Sequence, residues 1–259
     1  MRIALGVEYS GTLFCGWQSQ PSLCGVQDAL ETAIFKLAGQ VIRIHAAGRT
    51  DTGVHALMQV VHFDCDVARP VTAWVRGVNA FLPKSVRVLW AKYVADHFHA
   101  RFSATLRSYQ YLLTHQSTAP ALYADKAGWY HSPLNVVAMQ EGIAYLRGEH
   151  DFSSFRASQC QASSPVRHLK SASIQTHEAY IIFNFSANAF LQHQVRNMVG
   201  ALIYVGNGKY VPSQIKDLLN AKNRTLAPPT FSPNGLYLTG VEYNTEFNLP
   251  NTRRALAVL

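Results

Sequence analysis

Runs of β-branched and aromatic residues alternate with helical-period segments along the whole chain, and neither kind grows long. Strand patterns fall at 3–9, 41–44, 60–63, 86–94, 106–114 and 236–243, with a strand pair over 174–185 that turns at His177-Glu178. Helical spacing covers 26–37, 71–81, 134–146, 192–205 and 211–219. Leu82-Pro83 should end the second helix, and Gly206 with Asn207-Gly208 the fourth. Residues 117–130 look loop-like. Hairpin-like pairs are frequent. The pattern therefore favours an α+β fold, with mainly antiparallel sheet flanked by helices, over a doubly wound parallel one.

The tetrapeptide Gly-Val-Glu-Tyr occurs at 6–9 and again at 240–243, a hint of two related halves. No linker rich in Pro, Gly or Ser separates them. The expected division is 1–104, an N-terminal α+β half, and 105–259, a C-terminal α+β half.

At 259 residues and 48% apolar, the chain can build a sizeable core. No apolar run approaches the roughly 18 residues that a membrane span needs, and the N-terminus lacks the apolar core of a signal peptide. A cytoplasmic protein with no membrane association is expected. Cys15, Cys24, Cys65 and Cys160 form no C-x-x-C, so they read as reduced thiols and not as a zinc site. The histidines are scattered, and no metal is expected. The net charge of +8 points to an anionic partner, yet the basic residues form no run or tail. Any binding surface must be assembled by folding.

Chemistry concentrates in Ala47-Gly48-Arg49-Thr50-Asp51-Thr52-Gly53-Val54-His55-Ala56. A charged loop between strands belongs at the surface or in a cleft. Its glycines permit turns or close approaches that a Cβ would block. Asp51 beside Arg49 suits a nucleophile or general base better than a general acid. The same residues also suit an ordinary turn.

Two further segments stand out. After 98–105, Arg107, Tyr109 and Tyr111 share one strand face, because side chains alternate with period two. Aromatics among arginines make a platform for bases and a clamp for phosphates, though a half-buried strand with a polar rim has the same pattern. In 188–200, Val195, Met198, Val199 and Leu202 form an apolar stripe, with Arg196 early on the helix. That arginine is either solvated or, if partly buried, paired with a carboxylate.

Together these segments resemble the tRNA pseudouridine synthase A family. The match includes 47–56, Glu8-Tyr9-Ser10-Gly11-Thr12, Gly16-Trp17-Gln18-Ser19-Gln20, Gly77-Val78-Asn79-Ala80, 98–105, Arg107-Ser108-Tyr109-Gln110-Tyr111, Asp151-Phe152-Ser153-Ser154-Phe155, 188–200 and Gly235-Leu236-Tyr237-Leu238. It covers almost the whole chain in the family's order. Ser10 and Gln194 depart from it, where the family often has Asp and Met.

The resemblance implies an isomerase that converts uridine to pseudouridine at positions 38, 39 and 40 of the tRNA anticodon arm. It implies a homodimer, two α+β halves meeting at a cleft, and no cofactor. It makes Asp51 the catalytic aspartate, Tyr109 the active-site tyrosine and Arg196 the partner of Asp51. Leu236 becomes an apolar wall for the base, and Arg49 an aid to extruding the nucleotide. Arg107 and His55 join the substrate-binding set.

Two rivals use other chemistry. Asp51-Thr52-Gly53 is also an aspartic-protease triplet, but those enzymes need two carboxylates sharing a proton, and the chain has one triplet. An RNA-binding protein without catalysis would use the charge and aromatics and have no need of Asp51.

Overall fold

A computed structural model describes residues 1–256. The chain divides into two compact units, Met1–Leu106 with the segment from Tyr237, and Arg107–Leu236. Each carries mainly antiparallel sheet flanked by helices.

In the first unit β1 (Arg2–Tyr9) lies between β3 (His55–Asp64) and β4 (Val86–Val94), antiparallel to both. On the other side of β3, β10 (Leu236–Tyr243) adds a short parallel pairing, Tyr237 against His55 and Leu238 against Ala56. β2 (His45–Ala46) pairs with the far end of β3. Helices α1 (Val26–Ala38) and α2 (Val71–Phe81) pack against each other, and α2 packs on β4. α1 begins where the Asp28 carboxylate accepts the Gly25 N–H at 2.9 Å. It ends at Gly39, whose φ of 73° suits a residue without a Cβ.

The strand expected over 41–44 does not form. Burial alternates there as in a strand, with Ile42 and Ile44 inside and Val41 outside. Its backbone, however, bonds to side chains of α1. The Ile44 N–H donates to Glu31 Oε1 at 3.0 Å, and Gln27 Nε2 donates to the Ile44 carbonyl. Alternation alone cannot separate these two ways of satisfying a backbone.

The cysteine expectation also fails. Cys15 and Cys24 form a disulfide, with Cα atoms 5.4 Å apart. Residues 15–17 and 24–27 run side by side, joined by Cys15 N–H to Cys24 O, Val26 N–H to Gly16 O and Gln27 N–H to Trp17 O. Cys65 and Cys160 are free thiols.

In the second unit β5 (Ala104–His115) pairs with β9 (Tyr180–Ala187), followed by β8 (Val166–His177) and β7 (Gly148–Asp151), all antiparallel. β6 (Gly128–Tyr130) lies parallel to β5, inside the segment expected to be loop. Three residues hold too little pattern to read. Helices α3 (Val136–Ala144), α4 (Gln194–Gly206) and α5 (Gln214–Ala221) complete the unit. α4 is buried along nearly all its length, which its small and apolar residues permit. Gly200 sits where a Cβ would be 2.7 Å from the Pro229 carbonyl.

Three histidines gather at the far end of β3. The His62 ring lies 5.1 Å from His45 and 4.5 Å from His99, and its Nδ1 accepts the Ala100 N–H at 3.1 Å. Burial, with His99, His45 and Arg2 as cationic neighbours, pushes the His62 imidazolium down from 6.5 to about 3, against a smaller opposing pull from Asp64. The unfolded chain therefore binds a proton at His62 that the folded chain refuses between these values. Stability from this group is fully present above about 6.5 and is lost as pH falls towards 3. Urea unfolding as a function of pH should show this decline, and His62→Gln should flatten it. A decline unchanged in the variant would assign it to other groups.

Candidate functional site

The loop between β2 and β3 is held by bonds to its backbone and to Thr50. The Ala47 N–H donates to the Val60 carbonyl at 2.9 Å. Gln59, fully buried in β3, donates from Nε2 to the Gly48 carbonyl at 2.8 Å. The Thr50 hydroxyl pairs with the Tyr9 hydroxyl at 2.8 Å, and the Thr50 carbonyl accepts the Trp17 N–H at 2.9 Å. Burial pushes the Tyr9 phenol well above its ordinary value, so it stays neutral.

Asp51 follows directly. Its carbonyl accepts the Val54 N–H at 3.1 Å, closing a turn in which Gly53 takes a φ of 79°. The Asp51 side chain is half-buried and Arg49 is exposed. A carboxylate is thus presented from a backbone fixed on both sides.

His55 is 2% exposed. Its Nδ1 accepts the Gly11 N–H at 3.1 Å, and its ring stacks on Tyr237 at 4.7 Å. This buried imidazole joins the start of β3 to the turn after β1.

In the second unit Tyr109 lies opposite Phe185 on β9, with the edge of its ring against Phe190 at 5.0 Å. Arg107 is two residues earlier, and its Nη1 donates to the Asn188 carbonyl at 2.7 Å. Tyr111, read from the sequence as part of a base-stacking face, is fully buried and donates its hydroxyl to the Ser232 carbonyl at 2.9 Å. It belongs to the core because β5 is covered on that side.

Arg196 is in the first turn of α4. Its Nε donates to the Phe231 carbonyl at 2.9 Å, while its own carbonyl accepts the Phe231 N–H at 3.4 Å. Leu236 opens β10 and is buried. The preceding residue, Gly235, accepts the Leu112 N–H at 2.8 Å, and a Cβ there would lie 2.2 Å from the Leu112 carbonyl. A glycine is required for this close approach. Segment 231–236 therefore runs from the bonds to Arg196 to the start of β10.

Asp51, Arg49 and His55 belong to the first unit, and Tyr109, Arg107, Arg196 and Leu236 to the second. Sequence reasoning assigned no role to Tyr9, Trp17 and Gln59, which shape the Asp51 loop. The one local signal was Gln59 within an apolar strand, since a buried amide needs a partner. Among the described residues no group of three or more His, Cys, Asp or Glu is placed to hold a metal.

A family described as tRNA pseudouridine synthase matches residues 6–103 and 143–244. The chain is similar to tRNA pseudouridine synthase A of Methylobacillus flagellatus, 61% identical over 258 residues that cover 100% of this chain and 99% of that protein. The Chromobacterium violaceum protein of the same name is 58% identical, covering 97% of this chain and 96% of its own length. That of Nitrosomonas eutropha is 53% identical over 96% of this chain and 90% of its own.

Gly16 tests how tightly the Asp51 loop is held. Its φ is 100°, and a Cβ would lie 2.9 Å from the Thr50 carbonyl and 3.2 Å from the Asp51 carbonyl carbon. Gly16→Ala should destabilise the fold by about 1–3 kcal/mol in urea titration. An unchanged midpoint would mean that the clamp has slack.

Proposed function

The chain belongs to the tRNA pseudouridine synthase family, and from that premise we propose that it isomerises uridine to pseudouridine at positions 38, 39 and 40 of the tRNA anticodon stem and loop. One observation carries the reading: Asp51, in the segment by which the chain resembles the family, projects from a backbone clamped at Thr50 and closed by the turn to Val54.

The reaction breaks the bond between ribose C1′ and uracil N1, turns the ring, and joins C1′ to C5. The C5 proton leaves and N1 gains one, so atoms balance and nothing is oxidised. No cofactor is required by this balance. A uridine within a stem must first be flipped out of the stack. In our reading Asp51 acts as the nucleophile, at ribose C1′ or on the uracil ring. Arg196 is its counter-ion. Tyr109 and Leu236 hold the detached ring, Arg107 contacts the RNA backbone, and Arg49 helps keep the nucleotide extruded. His55, with its ring buried, serves binding through the shape of the loop. The reading includes a homodimer working in the cytoplasm.

Asp51→Asn keeps the shape of the side chain and removes its charge. It should fold and bind tRNA while turnover falls by at least about a hundredfold. Tritium release from 5-tritiated uridine in tRNA measures this. Activity near wild type would remove Asp51 from the mechanism, and a wild-type protein that binds tRNA without releasing tritium would favour a binding role alone.

Arg49→Ala separates extrusion from simple phosphate contact. Turnover should drop much more than affinity, and 2-aminopurine placed beside the target should report less flipping. Matching losses in affinity and turnover would make Arg49 an ordinary backbone contact.

A further inference from the structure

A shallow cavity of about 240 Å³ in the second unit is lined by three cations, Arg156, Lys222 and Arg224, and by no carboxylate. Ser153, Ser158 and Asn223 supply the neutral polar lining. The nearest acid in sequence, Asp151, is turned to the Ser153 N–H, which it accepts at 2.8 Å. Three like charges around one cavity repel each other unless an anion offsets them.

The cavity walls are built. Arg224 donates from Nη1 to the Ala227 carbonyl at 2.9 Å, and from Nη2 to Asn197 Oδ1 and Thr230 Oγ1, each at 3.3 Å. Asn197 also donates to the Phe155 carbonyl at 2.7 Å, just before Arg156. The Asn223 N–H donates to Ser154 Oγ at 2.8 Å, which ties the two lining segments together. Arg224 is thereby a fixed wall, whereas Arg156 is half-buried and Lys222 exposed, both open to a ligand.

Asn197, fully buried on α4, ties the cavity wall to the helix that carries Arg196.

We propose that Arg156 and Lys222, braced by Arg224, bind a backbone phosphate of the substrate tRNA. The inference rests on the tRNA reading above. It adds a phosphodiester subsite on the second unit, and the hydroxyl-rich, acid-free lining suits a singly charged diester approached by N–H and O–H donors.

The experiment measures the affinity of an unmodified tRNA transcript across a salt series for wild type, Arg156→Gln, Lys222→Gln and the double variant. Lys36→Ala, a charge loss on α1 in the first unit, is the control. Each phosphate contact contributes about 0.9 to the slope of log affinity on log salt for duplex, or about 0.7 for single strands. The double variant, which loses the one phosphate contact, should lower the slope by about 0.7 to 0.9, and affinity at 0.1 M salt by about fivefold to eightfold relative to the 1 M reference. Each single variant should show part of that loss, with the control unchanged and thermal midpoints level. Equal slopes in wild type and the double variant overturn the inference. So does a site that takes inorganic phosphate while tRNA affinity stays constant, since that marks a free-anion site. The measurement reads binding and not turnover. A wild-type protein that binds no tRNA would instead fail the functional reading itself.

Discussion

The hydrogen bond from the Trp17 N–H to the Thr50 carbonyl, 2.9 Å long, is the constraint on which the candidate site depends. A carboxylate that attacks one atom must be aimed closely, and a loop rich in glycine does not aim itself. The neighbours convert it into a fixed arm. Tyr9 holds the Thr50 side chain, Gln59 holds Gly48, and the 16–17 segment is bonded to the start of α1 through Val26 and Gln27. The Asp51 arm is thus referred to a strand and a helix at once. Losing the partner of a buried group such as Gln59 costs about 1–3 kcal/mol, so the arm and the core of its unit share one stability.

The second unit solves a similar problem with apolar packing. α4 is so buried that its position is set by contacts on most sides, and Gly200 lets segment 229–231 approach its backbone. That segment then bonds both the backbone and the side chain of Arg196 through Phe231. It continues to Ser232 under Tyr111, and to Gly235 against Leu112, before releasing Leu236 into β10. One stretch of chain therefore bonds Arg196 at one end and leads into Leu236 at the other. The phosphate subsite uses the next residue of the same helix, Asn197, as its brace.

Charge has its own logic here. The excess of +8 comes without a basic tail, so attraction to RNA must come from side chains that folding gathers. Arg156 and Lys222 are 66 positions apart by number and line one cavity. The same gathering is unfavourable in a buried setting: His62, desolvated and crowded by His99, His45 and Arg2, is kept neutral despite the smaller pull of Asp64.

Local pattern determined a good deal. Helix 71–81 and strands 86–94 and 236–243 have the bounds expected of them, because apolar period and the Leu82-Pro83 stop act within a few residues. The α+β class and the candidacy of Asp51, Tyr109, Arg196 and Leu236 were also legible, the class from interspersed periods and the residues from motif resemblance. What only tertiary structure decided concerns partners distant in sequence. Alternation at 41–44 could not reveal that Glu31 and Gln27 would claim its backbone. Cysteine spacing could not show segments 15–17 and 24–27 lying side by side. Tyr109 and Tyr111 share one strand face and both are buried, but only Tyr111 is closed off completely, under Ser232. Periodicity states which face of an element is apolar. It does not state what will cover that face, because covering depends on segments whose hydrogen-bonding groups lie tens of residues away, as Tyr9 does from Thr50.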